Sequence, residues 1–148
     1  MKKVGTIHFG STVDITDPCY DRSVFCRIND YPIVEGDYSC NLSLKDYGDW
    51  GTRVNYMEVF HKGFKKKNCR KVYIGSIGVD AGLAGVFSHK KDYSDEEWQD
   101  FCKKLPKDKQ YMFLDNGFFT ESGFGDGVYN VLGYKTAKNE IVGIKILF

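Results

Sequence analysis

The chain carries almost no net charge: 21 lysines and arginines face 20 aspartates and glutamates, a formal +1. A molecule so balanced exerts no long-range pull on duplex DNA or on an anionic membrane, so any charge-driven binding must be local. Long hydrophobic runs are missing too, and nothing approaches a membrane span. The opening MKKVGTIHFG has a basic start but no apolar stretch of the kind a secretory signal needs, so a cytoplasmic protein is expected. No C-x-x-C pair occurs among Cys19, Cys26, Cys40, Cys69 and Cys102; their number is odd, and their spacing fits no zinc pattern. They are expected as reduced thiols that fill space in or beside strands. Cys19, which follows Pro18 in a turn-like segment, is the one candidate for reactivity.

Signatures of catalysis are equally scarce. His8, His61 and His89 have no His-x-Glu or His-Glu-x-x-His partner, which argues against a zinc hydrolase, and there is no Gly-x-Ser-x-Gly elbow. No Gly-Lys-Ser/Thr follows the glycines at 123–127, and a strand-like run comes next, so a phosphate loop is excluded. Asp14, Asp17 and Asp21 offer hard oxygen ligands, yet their spacing matches neither an EF-hand nor a repeat-type calcium turn. Neither a metal nor a cofactor is expected. Repeats and low-complexity segments are absent, and 148 residues is the usual length of one domain, taken as 1–148. A hydrophobic content of 42% excludes intrinsic disorder.

What is present is a succession of short runs rich in Val, Ile, Tyr, Phe and Thr between Gly and Asp clusters, the pattern of many strands. Strands are expected at 3–9, 12–16, 37–44, 53–61, 71–79, 83–88, 111–114, 117–121, 128–136 and 140–147. The run 53–61 is apolar on both alternating faces, so it is expected to lie between two layers. The last two runs read as a hairpin across the polar segment 135–139, with Val142, Ile144, Ile146 and Phe148 facing the core. One helix is signposted over 94–105: Ser94 and Glu97 make a capping box, Trp98, Phe101, Cys102 and Leu105 form an apolar stripe, and Pro106 ends it. The expected class is therefore α+β and mainly β, with antiparallel sheets packed as a sandwich or an open barrel and one amphipathic helix covering a sheet face.

Two features point toward a ligand. Lys62, Lys65, Lys66, Lys67, Arg70 and Lys71 are expected at a hairpin tip, either simply solvated or collecting phosphate groups. Aromatic residues, 16% of the chain, sit beside Asp and Gly turns; Tyr20, Tyr47, Trp50, Phe118, Phe119, Phe124 and Tyr129 are examples. The turns themselves fall in three segments, 13–21, 79–85 and 122–127. Their aspartates either accept backbone N–H bonds in separate tight turns or converge on one site.

Three blocks that overlap these segments, VDITDPCY (13–20), VDAGLAG (79–85) and GFFTESGFGDGVY (117–129), resemble the sequence blocks of a group of small, functionally uncharacterised bacterial and phage proteins defined by a domain of unknown function. The resemblance covers most of the chain in the same order and includes Trp98 and the pair Phe101-Cys102; Lys65–Lys67 and the stretch 107–110 depart from it. It assigns no catalytic residues. It implies a setting among phage and prophage accessory genes, where short domains counter host defences, for instance by sequestering a nucleotide second messenger.

Taken together, the expected function is capture of a small phosphorylated nucleotide, cyclic or ADP-ribose-like, without chemistry and with a homo-oligomer as one arrangement. Arg53, Arg70 and Lys71 would neutralise phosphate, and the backbone of Gly123, Phe124, Gly125, Asp126 and Gly127 would approach the ligand. Asp80 or Asp126 would accept from ribose hydroxyls or an amine, and Phe124, Tyr129 or Trp50 would stack. Two alternatives stay open: a hydrolase or lyase using Asp14, Asp17, Asp126 or a histidine, and an interaction module that blocks a host protein.

Overall fold

The computed structural model describes residues 1–106 and 110–148. The chain runs through β1 (Lys2–Phe9), β2 (Thr12–Thr16), β3 (Ile28–Pro32), β4 (Gly36–Asp46), β5 (Thr52–His61) and β6 (Arg70–Val79). It continues through β7 (Leu83–Phe87), α1 (Asp95–Lys103), β8 (Tyr111–Leu114), β9 (Gly117–Glu121), β10 (Gly127–Lys135) and β11 (Ile141–Leu147). Pairing builds a six-stranded sheet in the order β1-β4-β5-β11-β10-β6 and a five-stranded sheet in the order β3-β2-β7-β9-β8, both antiparallel. The expected α+β, mainly β class is what forms, as two packed sheets and not a barrel. No helix among the described residues is long and apolar enough to cross a membrane.

One core is shared by both sheets. Phe9, Tyr38, Met57, Val59, Ile77, Val131, Ile144 and Ile146 come from the larger sheet and meet Val13, Ile15, Val86 and Phe118 from the smaller. Each fully buried side chain of this size contributes about 1.5–3 kcal/mol of transfer free energy, so this layer supplies most of the driving force. The helix lies on the outer face of the smaller sheet, where Phe101 packs with Phe87 and Phe119 beneath Trp98 and Leu105. Its Ser94–Glu97 capping box is formed in both directions. Cys102, expected in the apolar stripe, is exposed, because a nine-residue helix meets the sheet through Trp98 and Phe101 alone.

Strand β3 is missing from the sequence expectation: its run Ile-Asn-Asp-Tyr-Pro is an edge strand held to β2, with too few apolar residues to announce itself. A second departure lies in β11. The ladder with β10 shifts register between Tyr134 and Lys135, which leaves Val142 as an extra residue and turns it outward to Phe60 and Tyr134. Ile141 takes its place in the core, whereas Ile144 and Ile146 face inward as expected.

The third correction concerns the basic segment. Because β11 and β10 lie between β5 and β6, the connection 62–69 is not a hairpin tip but a crossover spanning two strands. It folds onto the outer face of the larger sheet, so β5 does lie between two layers. Glu58, buried there, accepts a 2.5 Å hydrogen bond from the Tyr134 hydroxyl and pairs with the half-buried Lys66 ammonium. That ammonium also stands 5.6 Å from the Phe60 ring and 5.9 Å from the Tyr134 ring. The two rings meet edge-on at 5.2 Å over Gly143, where a Cβ would meet Phe60 at 2.7 Å and Tyr134 at 2.8 Å.

Lys66→Met strips Glu58 of its counter-charge while keeping the stem, and urea unfolding should show a loss of about 2 kcal/mol, below the full cost of a buried pair because Lys66 is partly solvated. Glu58→Gln keeps an acceptor for Tyr134 and frees a lysine that reaches water, so it should cost less, about 1 kcal/mol.

Candidate functional site

Two connections at one end of the sandwich carry the chain between sheets: β6 to β7 through residues 80–82, and β9 to β10 through residues 122–126. Their neighbourhood is dictated by pairing. Val79 lies opposite Gly127 in the larger sheet and Leu83 opposite Glu121 in the smaller, so the two corners must run side by side. Ser122 N–H donates to the Gly82 carbonyl at 3.0 Å and ties them together. Strand β2 ends at the same place, since Thr16 pairs with Gly85. All three glycine–aspartate segments therefore converge.

The junction is Asp17, which is fully buried. One carboxylate oxygen accepts from Cys19 N–H at 2.8 Å; the other accepts from Asp80 N–H and Ala81 N–H, each at 2.7 Å. Asp14, within β2, plays the corresponding role three residues earlier. It accepts from Asp30 N–H at 2.9 Å and Lys90 N–H at 2.8 Å, with the Arg27 guanidinium at 3.4 Å and that of Arg22 at 3.7 Å. Both aspartates are thus consumed as backbone acceptors. Two guanidiniums at Asp14 also oppose a bound cation. Cys19, beside this junction, has its thiol pushed up to about 12 by burial and by the Asp17 carboxylate, which disfavours the reactive thiolate.

The loop after β9 is shaped by its glycines. Gly82, Gly123 and Gly125 have φ of 69°, 61° and 104°, conformations that favour glycine, and a Cβ on Gly82 would meet the Gly125 Cα at 3.9 Å. Ser122 Oγ donates to the Gly125 carbonyl at 2.8 Å, and Tyr129 OH donates to the same carbonyl at 2.6 Å. Tyr129 also packs edge-on against Phe148 at 5.1 Å. Its hydroxyl thus holds the loop from below.

Above the loop stands an aromatic and cationic wall. Arg53, at the start of β5, donates from Nε to the Trp50 carbonyl at 3.0 Å and from Nη1 to the Gly123 carbonyl at 3.3 Å. Its guanidinium lies 4.7 Å from the Phe124 ring centroid, while Tyr47 and Trp50 meet that ring edge-on at 4.8 and 5.8 Å. Trp50 and Phe124 remain 70% and 53% exposed. Between this wall and the two corners lies a cleft of about 280 Å³, bounded by Arg53, Gly82, Leu105, Glu121, Phe124 and Gly125.

Of the expected site residues, Trp50, Arg53, Gly123, Phe124 and Gly125 are brought together, and Asp80, Asp126 and Gly127 flank them in exposed positions. Arg70 and Lys71 are not part of this group. They begin β6 whereas the cleft lies beyond its end, a strand length of about 30 Å away. There Arg70 donates to Asn139 at 3.0 Å, and the Lys71 ammonium stands 6.0 Å from the Tyr134 ring. Phe118 and Phe119 are core residues. Glu121 and Leu105 enter the cleft without any local sequence signal, because the β7–β9 pairing places the one and the seat of the helix on the smaller sheet places the other. No protein-family profile, curated protein or solved structure matches the chain.

Removing the Asp17 acceptor orphans three N–H groups, so Asp17→Ala should lower stability by about 3 kcal/mol or more in thermal or urea unfolding. With iodoacetamide at mildly alkaline pH and mass spectrometry as readout, Cys19 should stay unlabelled while the exposed Cys102 is alkylated.

Proposed function

We propose that the protein is a binding protein for a small ligand that combines a flat ring with an anionic group, the class to which nucleotides belong. The observation that carries this reading is the Arg53–Phe124 stack at 4.7 Å, set beside a widely exposed Trp50 at the lip of a glycine-walled cleft. An exposed indole and phenyl supply stacking surface, a guanidinium held by two backbone carbonyls supplies a fixed positive charge, and the glycines let a ligand approach the main chain. Exposed Asp126 at the rim is suited to accept from a hydroxyl or amine. A nucleotide second messenger satisfies the same requirements. Binding without turnover is the simpler reading, because Asp14 and Asp17, the buried acid–base candidates, are saturated by backbone donors.

The test is a fluorescence titration of Trp50 with adenosine monophosphate, ADP-ribose and a cyclic dinucleotide, using adenine and ribose 5-phosphate as single-feature controls. Ring-plus-phosphate ligands should quench the emission. Trp50→Ala should abolish the signal change, and Arg53→Ala should weaken binding about tenfold or more. Asp126→Ala should reduce binding with the melting temperature nearly unchanged. A protein quenched by none of these ligands, or an Arg53→Ala variant that binds as tightly as wild type, would overturn the proposal.

A further inference from the structure

The opposite end of the sandwich holds a second, larger cavity of about 660 Å³, between the crossover 62–69 and the β10–β11 turn. Its size falls within the range of small-molecule sites. Lys65 and Lys67 line one wall and Lys138 the other, with Glu140 as the one acidic side chain among the lining residues. Residues 62–71 contain six cations and no carboxylate. None of Lys65, Lys67 and Lys138 forms an ion pair among the described residues, although the whole chain is nearly neutral.

The walls are held in place, which distinguishes this cavity from a pair of solvated lysine loops. Lys66, between the two lining lysines, turns inward to the buried Glu58, and so fixes Lys65 and Lys67 on the outside. A 3₁₀ turn at Lys66–Asn68 sets their spacing. His61 anchors the start of the crossover through the Glu35 carbonyl at 2.9 Å and Gly63 N–H at 2.8 Å. Arg70 donates to Asn139, which has φ of 64°, and so links the far wall to the crossover. A buried ion pair is a poor source of stability but an effective way to specify one position of a loop.

From this arrangement we infer that the cavity between residues 62–69 and 136–140 is a second binding site, for a compact anion bearing several phosphates. Lysine ammoniums act as point charges and suit clustered phosphates more than a single planar carboxylate. Three of them around one cavity match a ligand of several negative charges. A free polyphosphate and the polyphosphate tail of a nucleotide share this chemistry.

Calorimetric titration of the whole protein with inorganic tripolyphosphate, at about 50 mM and about 200 mM salt, tests the inference. One site per chain should be seen, weakening as salt rises. The triple variant Lys65→Ala, Lys67→Ala, Lys138→Ala should lose at least about tenfold in affinity, whereas removal of Lys91, Lys103 and Lys104, exposed on and beside the helix, should leave it unchanged. Arg53→Ala should also bind tripolyphosphate as wild type does, so this site stands or falls independently of the aromatic cleft. In an Arg53→Ala background, adenosine triphosphate binding that the added lysine triple removes would identify a nucleotide tail as a source, and its absence would leave free polyphosphate. No heat with the wild type, or equal weakening by both lysine triples, would overturn the inference.

Discussion

The buried carboxylate of Asp17 is the constraint on which this end of the molecule depends. Three backbone N–H groups from two distant parts of the chain converge on it, and all three lose their shared acceptor without it. Through Asp80 and Ala81 it positions the β6–β7 corner, and through the Gly82 carbonyl that corner positions Ser122 and the glycine loop. The loop in turn presents a carbonyl to Arg53 and the Phe124 ring to its guanidinium. A side chain that never meets solvent thus decides where the exposed aromatic wall stands.

A comparable device operates at the other end. Glu58 lies on the outer face of the larger sheet, where a lone carboxylate would be costly, and it is stabilised by the Tyr134 hydroxyl and by Lys66. The crossover is thereby seated on Phe60, Tyr134 and Val142, and a small apolar cluster covers what would otherwise be open sheet. The same contact that closes the fold on this face orients the lysines on either side of Lys66. Neighbours in sequence thus differ in direction, Lys66 turned in and Lys65 and Lys67 turned out.

Most strands, the capped helix and the final hairpin are legible from local pattern, because alternation and capping act over a few residues. The exceptions have physical causes. Strand β3 borrows its pairing from β2 and has little hydrophobicity of its own. The phase of β11 changes at a bulge, which no alternation rule foresees. The basic segment reads as a hairpin tip because β5 and β6 are consecutive in sequence, yet two later strands insert between them.

The candidate site divides in the same way. Sequence by itself determined the ingredients: a neutral molecule of one mainly β class, three glycine–aspartate segments, clustered lysines and aromatic side chains beside turns. Only the tertiary structure decided their company. It joined Trp50, Arg53, Phe124 and the glycine loop at one end and carried Arg70 and Lys71 to the other, so residues expected to stand together lie a strand length apart. The reason is that propensity, capping and turn chemistry are local, whereas strand order in a sheet is settled by long-range pairing and shared burial, which alone set which loops meet.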